Sequence, residues 1–311
     1  MAQRIQYHQY GGPEVLRLET FEPRPLGPDD VLVRVKAAGA NPMDWGIREG
    51  ELKMMTGRQF PRGHGYDFAG VVEATGAGVT RLRRGDAVLG AAPMKLAGAF
   101  AELVVAEQKG VVKKPGTLAF EDAAALPTPS ITALQVLTTK AKIQSGQAIF
   151  VHAALGAVGR SAVQLALSRG ATVAGSVRAS AASEAHAAGI TPVVDFDFDP
   201  APLKGRFDIV FDTAGTLPLA AARTLLKPGG RIFDIKPTPA KFLRSALPGS
   251  FTTVIAQPIT ADLEEVARLG GEGILRPSIA RTVPLSQAIE ALVELEQRRA
   301  ARPGKLIVTP G

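Results

Sequence analysis

The chain has 311 residues, 46% hydrophobic and 21% charged, which fits a globular protein with a sizeable core and excludes a disordered, highly charged one. It has no cysteine, which excludes disulfides, thiolate nucleophiles, iron–sulfur clusters and cysteine-ligated zinc. The formal charge of +7 and a pI near 9.8 suit acidic partners, but Arg81-Leu82-Arg83-Arg84 and Arg298-Arg299 are short runs without interleaved aromatics, so a solvated basic surface is favoured over nucleic acid. No apolar run reaches bilayer length, and Met1-Ala2-Gln3-Arg4-Ile5 opens no hydrophobic leader, so the expectation is a cytoplasmic protein without a membrane partner.

The first third reads as strands and turns. Val31–Val35 is β-branched and bounded by Pro28-Asp29-Asp30 and Gly39; Phe68–Ala74 and Ala87–Gly90 are further strands, punctuated by Gly76, Gly78 and Gly85. Residues 1–118 are therefore expected to form an all-β domain. From Ala123 to Lys142 the pattern turns helical, interrupted at Pro127-Thr128-Pro129. Strands and helices then alternate: strand Ala148–Val151, helix Gly159–Arg169, strand Thr172–Val177, helix Ser180–Ala188, strand Phe207–Asp212, helix Leu217–Leu226, and strand Arg231–Ile235 after a Pro228-Gly229-Gly230 turn. Such alternation predicts a doubly wound parallel sheet over 119–271, with ligands at the carboxyl ends of its strands. The tail, 272–311, carries a helix over Leu285–Arg299 and a closing strand, Lys305–Val308, expected to rejoin the first domain.

The strongest local signal is Val151-His152-Ala153-Ala154-Leu155-Gly156-Ala157-Val158-Gly159, between a strand and a helix. A dinucleotide loop there requires G-x-G-x-x-G, for a tight turn, close approach of the pyrophosphate and helix–strand packing. Ala154 replaces the first glycine, while Gly156 and Gly159 are in place. The window where an acid would bond the adenine ribose of NAD reads Gly175-Ser176-Val177-Arg178-Ala179-Ser180. Lacking that acid, and offering the Arg178 guanidinium with the Ser176 and Ser180 hydroxyls, it favours NADPH; the alternative makes Arg178 a solvated surface residue.

Together these segments resemble the medium-chain dehydrogenase/reductase superfamily, in its zinc-free quinone oxidoreductase-like branch. The resemblance rests on Asn41-Pro42-Met43-Asp44, Gly65-Tyr66-Asp67-Phe68-Ala69-Gly70-Val71-Val72, Ala124-Ala125-Leu126-Pro127, the Ala154–Gly159 loop and the closing Gly304–Val308. It implies an α/β chain with a GroES-like β-barrel catalytic domain (1–118 and 272–311) and a Rossmann NADPH-binding domain (119–271), an active site in the cleft between them, and a homodimer. Where zinc-dependent relatives carry a catalytic cysteine, this chain has Asn41-Pro42-Met43-Asp44. Tyr66 stands at the position of their histidine ligand, Thr128 at that of the third ligand. His64 and Asp67, three residues apart, do not make a tetrahedral metal site.

A ketone needs strong polarisation to accept hydride, whereas a quinone or enone delocalises the charge, so hydrogen bonds and positioning over the nicotinamide suffice. The candidate donors are Tyr66, which is otherwise a barrel-wall aromatic, and Asn41, otherwise a turn residue before Pro42. Asp44 and Trp45 are candidate pocket residues, with Trp45 equally suited to the core. His152 reads as a packed, satisfied histidine, and His8 and His186 carry no motif. Cofactor contacts are expected from Ala154, Leu155, Gly156, Ala157, Val158 and Gly159, from Ser176 and Arg178, from the strand ends Asp212-Thr213-Ala214 and Ile235-Lys236, and from Thr128 and Lys305. The reading is an NADPH-dependent, zinc-independent quinone or enone oxidoreductase. The alternatives are an enoyl-thioester or 2-alkenal reductase, and a non-catalytic NADPH-binding sensor or nucleic-acid-binding protein.

Overall fold

The computed structural model describes residues 1–297 and 304–311. It divides into two compact units, Met1–Thr128 with Pro258–Gly311, and Pro129–Gln257. These divisions fall at 128/129 and 257/258 rather than at 118/119 and 271/272. The reason is packing: the helix after residue 118 lies on the first unit's strands, and so does the helix that precedes residue 272.

The first unit opens with β1 (Ala2–Tyr7), β2 (Arg17–Phe21), β3 (Asp30–Gly39), α1 (Pro42–Arg48), α2 (Lys53–Thr56), β4 (Arg62–Gly63), β5 (Asp67–Thr75), β6 (Ala87–Ala91), β7 (Leu103–Glu107), β8 (Val111–Lys113) and α3 (Phe120–Ala125). In β3 the side chains of Val31, Val33 and Val35 are buried and those of Arg34 and Lys36 exposed, the period of two expected of a strand with one wet face. Antiparallel β2-β1-β4 forms one small sheet. α3 packs on β3 and β5.

The second unit begins within α4 (Pro127–Leu134), which continues into a π-helical turn over Gln135–Lys140. It proceeds through β9 (Ala148–His152), α5 (Ala157–Ser168), β10 (Thr172–Ser176), α6 (Ala182–Ala187), β11 (Ile190–Val194), β12 (Phe207–Asp212), α7 (Leu219–Leu225), β13 (Leu226–Asp234), α8 (Pro239–Ala246) and β14 (Phe251–Thr253). Its sheet is parallel in the order β11-β10-β9-β12-β13-β14. The order reverses at β9, which has β10 on one side and β12 on the other, and such a reversal opens a crevice at the strands' carboxyl ends. Phe150, Val210, Leu225 and Ile232 lie in the core on this sheet.

The chain then returns through α9 (Thr260–Gly271), which packs on β8, β15 (Ile279–Pro284), α10 (Ala288–Gln297) and β16 (Lys305–Thr309). β16 pairs antiparallel with β3, Ile307 opposite Gly39, and parallel with β15. The larger sheet runs β15-β16-β3-β5-β6-β8, with β7 also on β3.

Several expected bounds shift for local reasons. The helix expected over Ala123–Lys142 starts at Phe120 and is broken at Pro127, which cannot donate into the preceding turn. β13 starts at Leu226 and runs through the expected Pro228-Gly229-Gly230 turn, its register to β12 shifting between Phe207 and Ile209. The expected Leu285–Arg299 helix opens as a 3₁₀ turn before α10, and its last two residues lie outside the described ones.

α1 and α10 are joined by a buried ion pair. Arg48, fully buried, donates to both carboxylate oxygens of Glu296 at 2.6 and 2.8 Å and to the Gly11 carbonyl at 3.1 Å. Breaking one side strands a charge in low dielectric, so Glu296→Gln is expected to cost about 3–5 kcal/mol. Denaturant unfolding of Glu296→Gln, Arg48→Met and the double variant checks this; single losses that simply add would show the pair to be uncoupled.

Candidate active site

Each central strand of the second unit ends on a buried polar residue: His152 on β9, Ser176 on β10, Asp212 on β12 and Asp234 on β13. Buried polar groups must find partners, and here they find them in the loops that follow. His152 bonds Ser176 Oγ through Nδ1 (2.7 Å) and Thr216 Oγ1 through Nε2 (2.9 Å). Burial lowers its pKa, against the pull of Asp212, so the imidazole is neutral. Asp212 accepts the backbone N–H groups of Ala214, Gly215 and Leu217 at 3.0, 2.7 and 2.8 Å. Thr213 donates its hydroxyl to the His152 carbonyl at 2.6 Å. Asp234 is held by Lys241 Nζ at 2.5 Å and by the Lys236 N–H at 2.8 Å.

Above this framework lies the Ala153–Gly159 loop. Ala153 takes a left-handed φ of 58°, and Gly156 is the N-cap of α5. A Cβ on Gly159 would sit 2.3 Å from the Ala153 carbonyl oxygen, so only glycine lets α5 close onto the loop. Ala154 is tolerated in place of the first glycine because residue 175 is glycine: a Cβ there would lie 2.8 Å from the Ala154 Cβ. Gly156 and Ala157 are exposed, leaving the positive end of α5 open.

The first unit carries a second buried network. Asn41 Nδ2 donates to Asp67 Oδ2 at 2.9 Å, and Asn41 Oδ1 accepts from Lys305 Nζ at 2.7 Å. Thr128 gives Asp67 both its hydroxyl (2.6 Å) and its N–H (3.1 Å), and Lys305 Nζ stands 3.5 Å from Asp67 Oδ2. The Asn41 N–H donates to Asp44 Oδ2 at 2.7 Å, half of a capping box at the start of α1. Asn41, Asp44, Asp67 and Lys305 are all buried. Burial lowers the Lys305 pKa, opposed by Asp67 and Asp44. Burial and then the neighbouring Asp67 carboxylate push Asp44 up to about 8, against the hydrogen bond from Asn41.

Several expected site residues are placed otherwise than foreseen. The Ser176 hydroxyl is fully buried, accepts the Ala153 N–H and meets His152, so it supports the loop from below and cannot reach a 2′-phosphate. The Asp212 carboxylate is consumed by its own loop and shapes Thr213 and Ala214 instead of contacting a ligand. Tyr66 is buried with its hydroxyl donated to the Met94 carbonyl at 2.7 Å, among Ile47, Ala97, Met43 and Leu52; burial raises its pKa, so the wall aromatic prevails over the proton donor. Asn41 has its amide engaged at both ends, by Asp67 and by Lys305. Lys305 and Thr128 are bonded into the same network, with Asp67 as its hub. Trp45 is half-buried, Ile235 likewise, and Lys236 is exposed with its stem packed over Gly215. Arg178 is exposed and has no hydrogen-bond or ion-pair partner among the described residues. Asp67, Thr216 and Lys241 act as organisers that residue type did not mark; Asp67 stood out only within the Gly65–Val72 segment and beside His64.

Because Asp44 has a folded-state pKa above its ordinary value, it binds a proton more tightly folded than unfolded. Its contribution to stability is complete below about pH 4 and is lost as pH rises to about 8, at a slope on the order of 1 kcal/mol per pH unit. Asp44→Asn keeps an acceptor for the Asn41 N–H but cannot ionise. Urea unfolding at about pH 5, 6.5 and 8 is expected to favour the variant increasingly with pH; parallel pH profiles would mean that Asp44 is ionised throughout.

Known proteins match this architecture along the whole chain. The family model described as alcohol dehydrogenase GroES-like domain matches residues 27–116, and that described as zinc-binding dehydrogenase matches 188–308. A chloroplastic quinone-oxidoreductase homolog of Spinacia oleracea is 30% identical over 98% of this chain and 98% of its own length. The quinone oxidoreductase of Coxiella burnetii superposes with a TM-score of 0.91 at 29% identity, covering 100% of this chain and 99% of that one. The Escherichia coli quinone oxidoreductase, solved in complex with NADPH, gives 0.84 at 26% identity, covering 99% of this chain and 100% of that one. With its GroES-like unit, its parallel Rossmann sheet and these full-length relatives, the chain is an oxidoreductase that belongs to the quinone oxidoreductase-like branch of the medium-chain dehydrogenase/reductase superfamily.

Proposed function

We propose that this protein is a zinc-independent, NADPH-dependent oxidoreductase that transfers hydride to a quinone or an α,β-unsaturated carbonyl compound. The observation that carries the reading is the open N-terminus of α5, over a loop that only Gly159 allows to close, together with the exposed Arg178 just beyond β10. The α5 N–H groups of Ala157 and Val158 suit a pyrophosphate, and the exposed guanidinium suits a 2′-phosphate. Ala154, Leu155 and Gly156 complete the turn, and Thr213, Ala214, Ile235 and Lys236 stand at the strand ends where a nicotinamide half belongs. Relatives named quinone oxidoreductases, one of them solved with NADPH, support both cofactor and acceptor class.

The zinc implied by one family description does not fit this donor set. Among the described residues no group of three or more His, Asp or Glu can hold a metal ion. The Asn41 and Thr128 side chains are spent on Asp67, and the Lys305 ammonium, already among them, repels a second cation. The acceptor is therefore one that needs no Lewis acid. Bound NADPH would supply a hydride, which a quinone or enone would take with a proton from solvent to give a hydroquinone or saturated carbonyl, the developing charge spread by conjugation. The protein's part is to bind and orient. Exposed Phe242, Leu243 and Leu247 around α8, beside the edge strand β14, support a homodimer.

The test is oxidation of NADPH and of NADH by chelator-treated protein, with quinones, enones and 2-alkenals as acceptors. NADPH-selective turnover that survives chelation is expected. Arg178→Ala is expected to raise the KM for NADPH about tenfold and to leave that for NADH within about twofold, the loss of a charge-assisted phosphate contact. Equal effects on both cofactors would remove Arg178 from the 2′-phosphate site, and activity lost to chelator would overturn zinc independence.

A further inference from the structure

Asn41, Asp67, Thr128 and Lys305 lie far apart in sequence, and they meet without leaving a hydrogen-bonding side-chain atom idle. Asp67 receives Asn41, Thr128 twice and the Lys305 ammonium; Asn41 gives its amide nitrogen to Asp67 and takes Lys305 on its oxygen. Lys305 is the cation of this group, and its side chain is only 5% exposed. The chain makes room for it. Gly39 lies at the end of β3 opposite Ile307, and a Cβ there would come within 3.3 Å of Lys305 Cε and 2.5 Å of the Ala124 carbonyl oxygen. A corridor, an amide acceptor and a buried carboxylate describe a built site for an ammonium, not a lysine folded inward by chance.

We propose that Lys305 is a positioning residue, the fixed internal cation of this site, which holds Asn41 directly and Thr128 through Asp67. The inference rests on the oxidoreductase reading and adds a residue to it. A lysine tethered by its own strand orders the same kind of donors that a bound cation would order, and it does so without ligand exchange. Removing the ammonium leaves the Asp67 carboxylate buried and uncompensated and frees the Asn41 amide to rotate. The start of α1 and the start of α4 then lose their common anchor. A displacement of about 1 Å in positioning groups is enough to slow a reaction about 100-fold.

The experiment compares Lys305→Met, Lys305→Arg and Lys305→Met/Asp67→Asn with the wild-type chain. Readouts are kcat and KM with 1,4-naphthoquinone, NADPH affinity by nicotinamide fluorescence without acceptor, and amide hydrogen exchange at Asn41 and Thr128. Lys305→Met is expected to bind NADPH within about threefold of wild type, to lose about 100-fold in kcat with KM little changed, and to exchange both amides faster. Lys305→Arg, which keeps the charge, is expected to recover part of kcat. The double variant, with no stranded charge, is expected to regain thermal stability but not kcat. Wild-type kcat in a folded Lys305→Met would overturn the proposal. So would parallel loss of NADPH affinity and kcat, which would make Lys305 a cofactor contact, or failure of both Met variants to fold, which would make it structural only. If the wild-type protein turns over no quinone or enone, the functional reading fails on its own; the amide-exchange arm then still decides whether Lys305 pins Asn41 and Thr128, and unchanged protection overturns it.

Discussion

The Lys305–Asp67 pair is the constraint on which the first unit depends. Two opposite charges taken out of water are tolerated only when every remaining donor and acceptor around them is filled. Here the filling groups are Asn41, at the mouth of α1, and Thr128, where the first unit ends. The C-terminal strand β16 is thus tied to the unit by more than its ladder with β3. Its first residue delivers the ammonium, so the network forms only when the end of the chain has docked beside its beginning. Arg48 and Glu296 repeat the logic between α1 and α10, and both interactions converge on the short helix that carries Asp44 and Trp45.

The second unit solves the same problem with less net charge. Its strand ends present His152, Ser176 and Asp212, and each is satisfied by the loop it supports. Polar groups saturated in this way fix backbone donors before a ligand arrives, the condition under which electrostatic stabilisation costs no reorganisation. What stays open is correspondingly small: the α5 N-terminus, Arg178 and Lys236. Binding capacity is left to the groups that the framework does not consume.

Alternation of strand and helix made the parallel sheet legible, because period-two and period-3.6 patterns are properties of local sequence. So was the phosphate loop, since the glycine spacing survives Ala154. Edge strands were not: β11 contains Pro192, tolerated only at an edge, and β14 is three residues long. Strand-end position marked Asp212, the ribose window marked Ser176, and the family resemblance and the domain junction marked Asn41 and Lys305, but none of these reveals which way a side chain points. Ser176 points toward His152 and the Ala153 loop and Asp212 into its own loop, whereas Arg178, two residues past Ser176, faces water. Lys305 and Asn41, separated by 264 residues in sequence, are partners that no local pattern could join.

The state of Asp44 follows from the same balance. Asp67 and Lys305 cancel, and Arg48 is already committed to Glu296, so no cation remains in the group to offset a further carboxylate. Asp44 keeps one oxygen on the Asn41 N–H, while the other has no hydrogen-bond partner among the described residues. A neutral carboxyl keeps the acceptor for the Asn41 N–H, and its unpartnered second oxygen costs less than the buried charge of a carboxylate would. The raised pKa of Asp44 is thus a consequence first of its burial and then of the Asp67 carboxylate, which Lys305 offsets only in part.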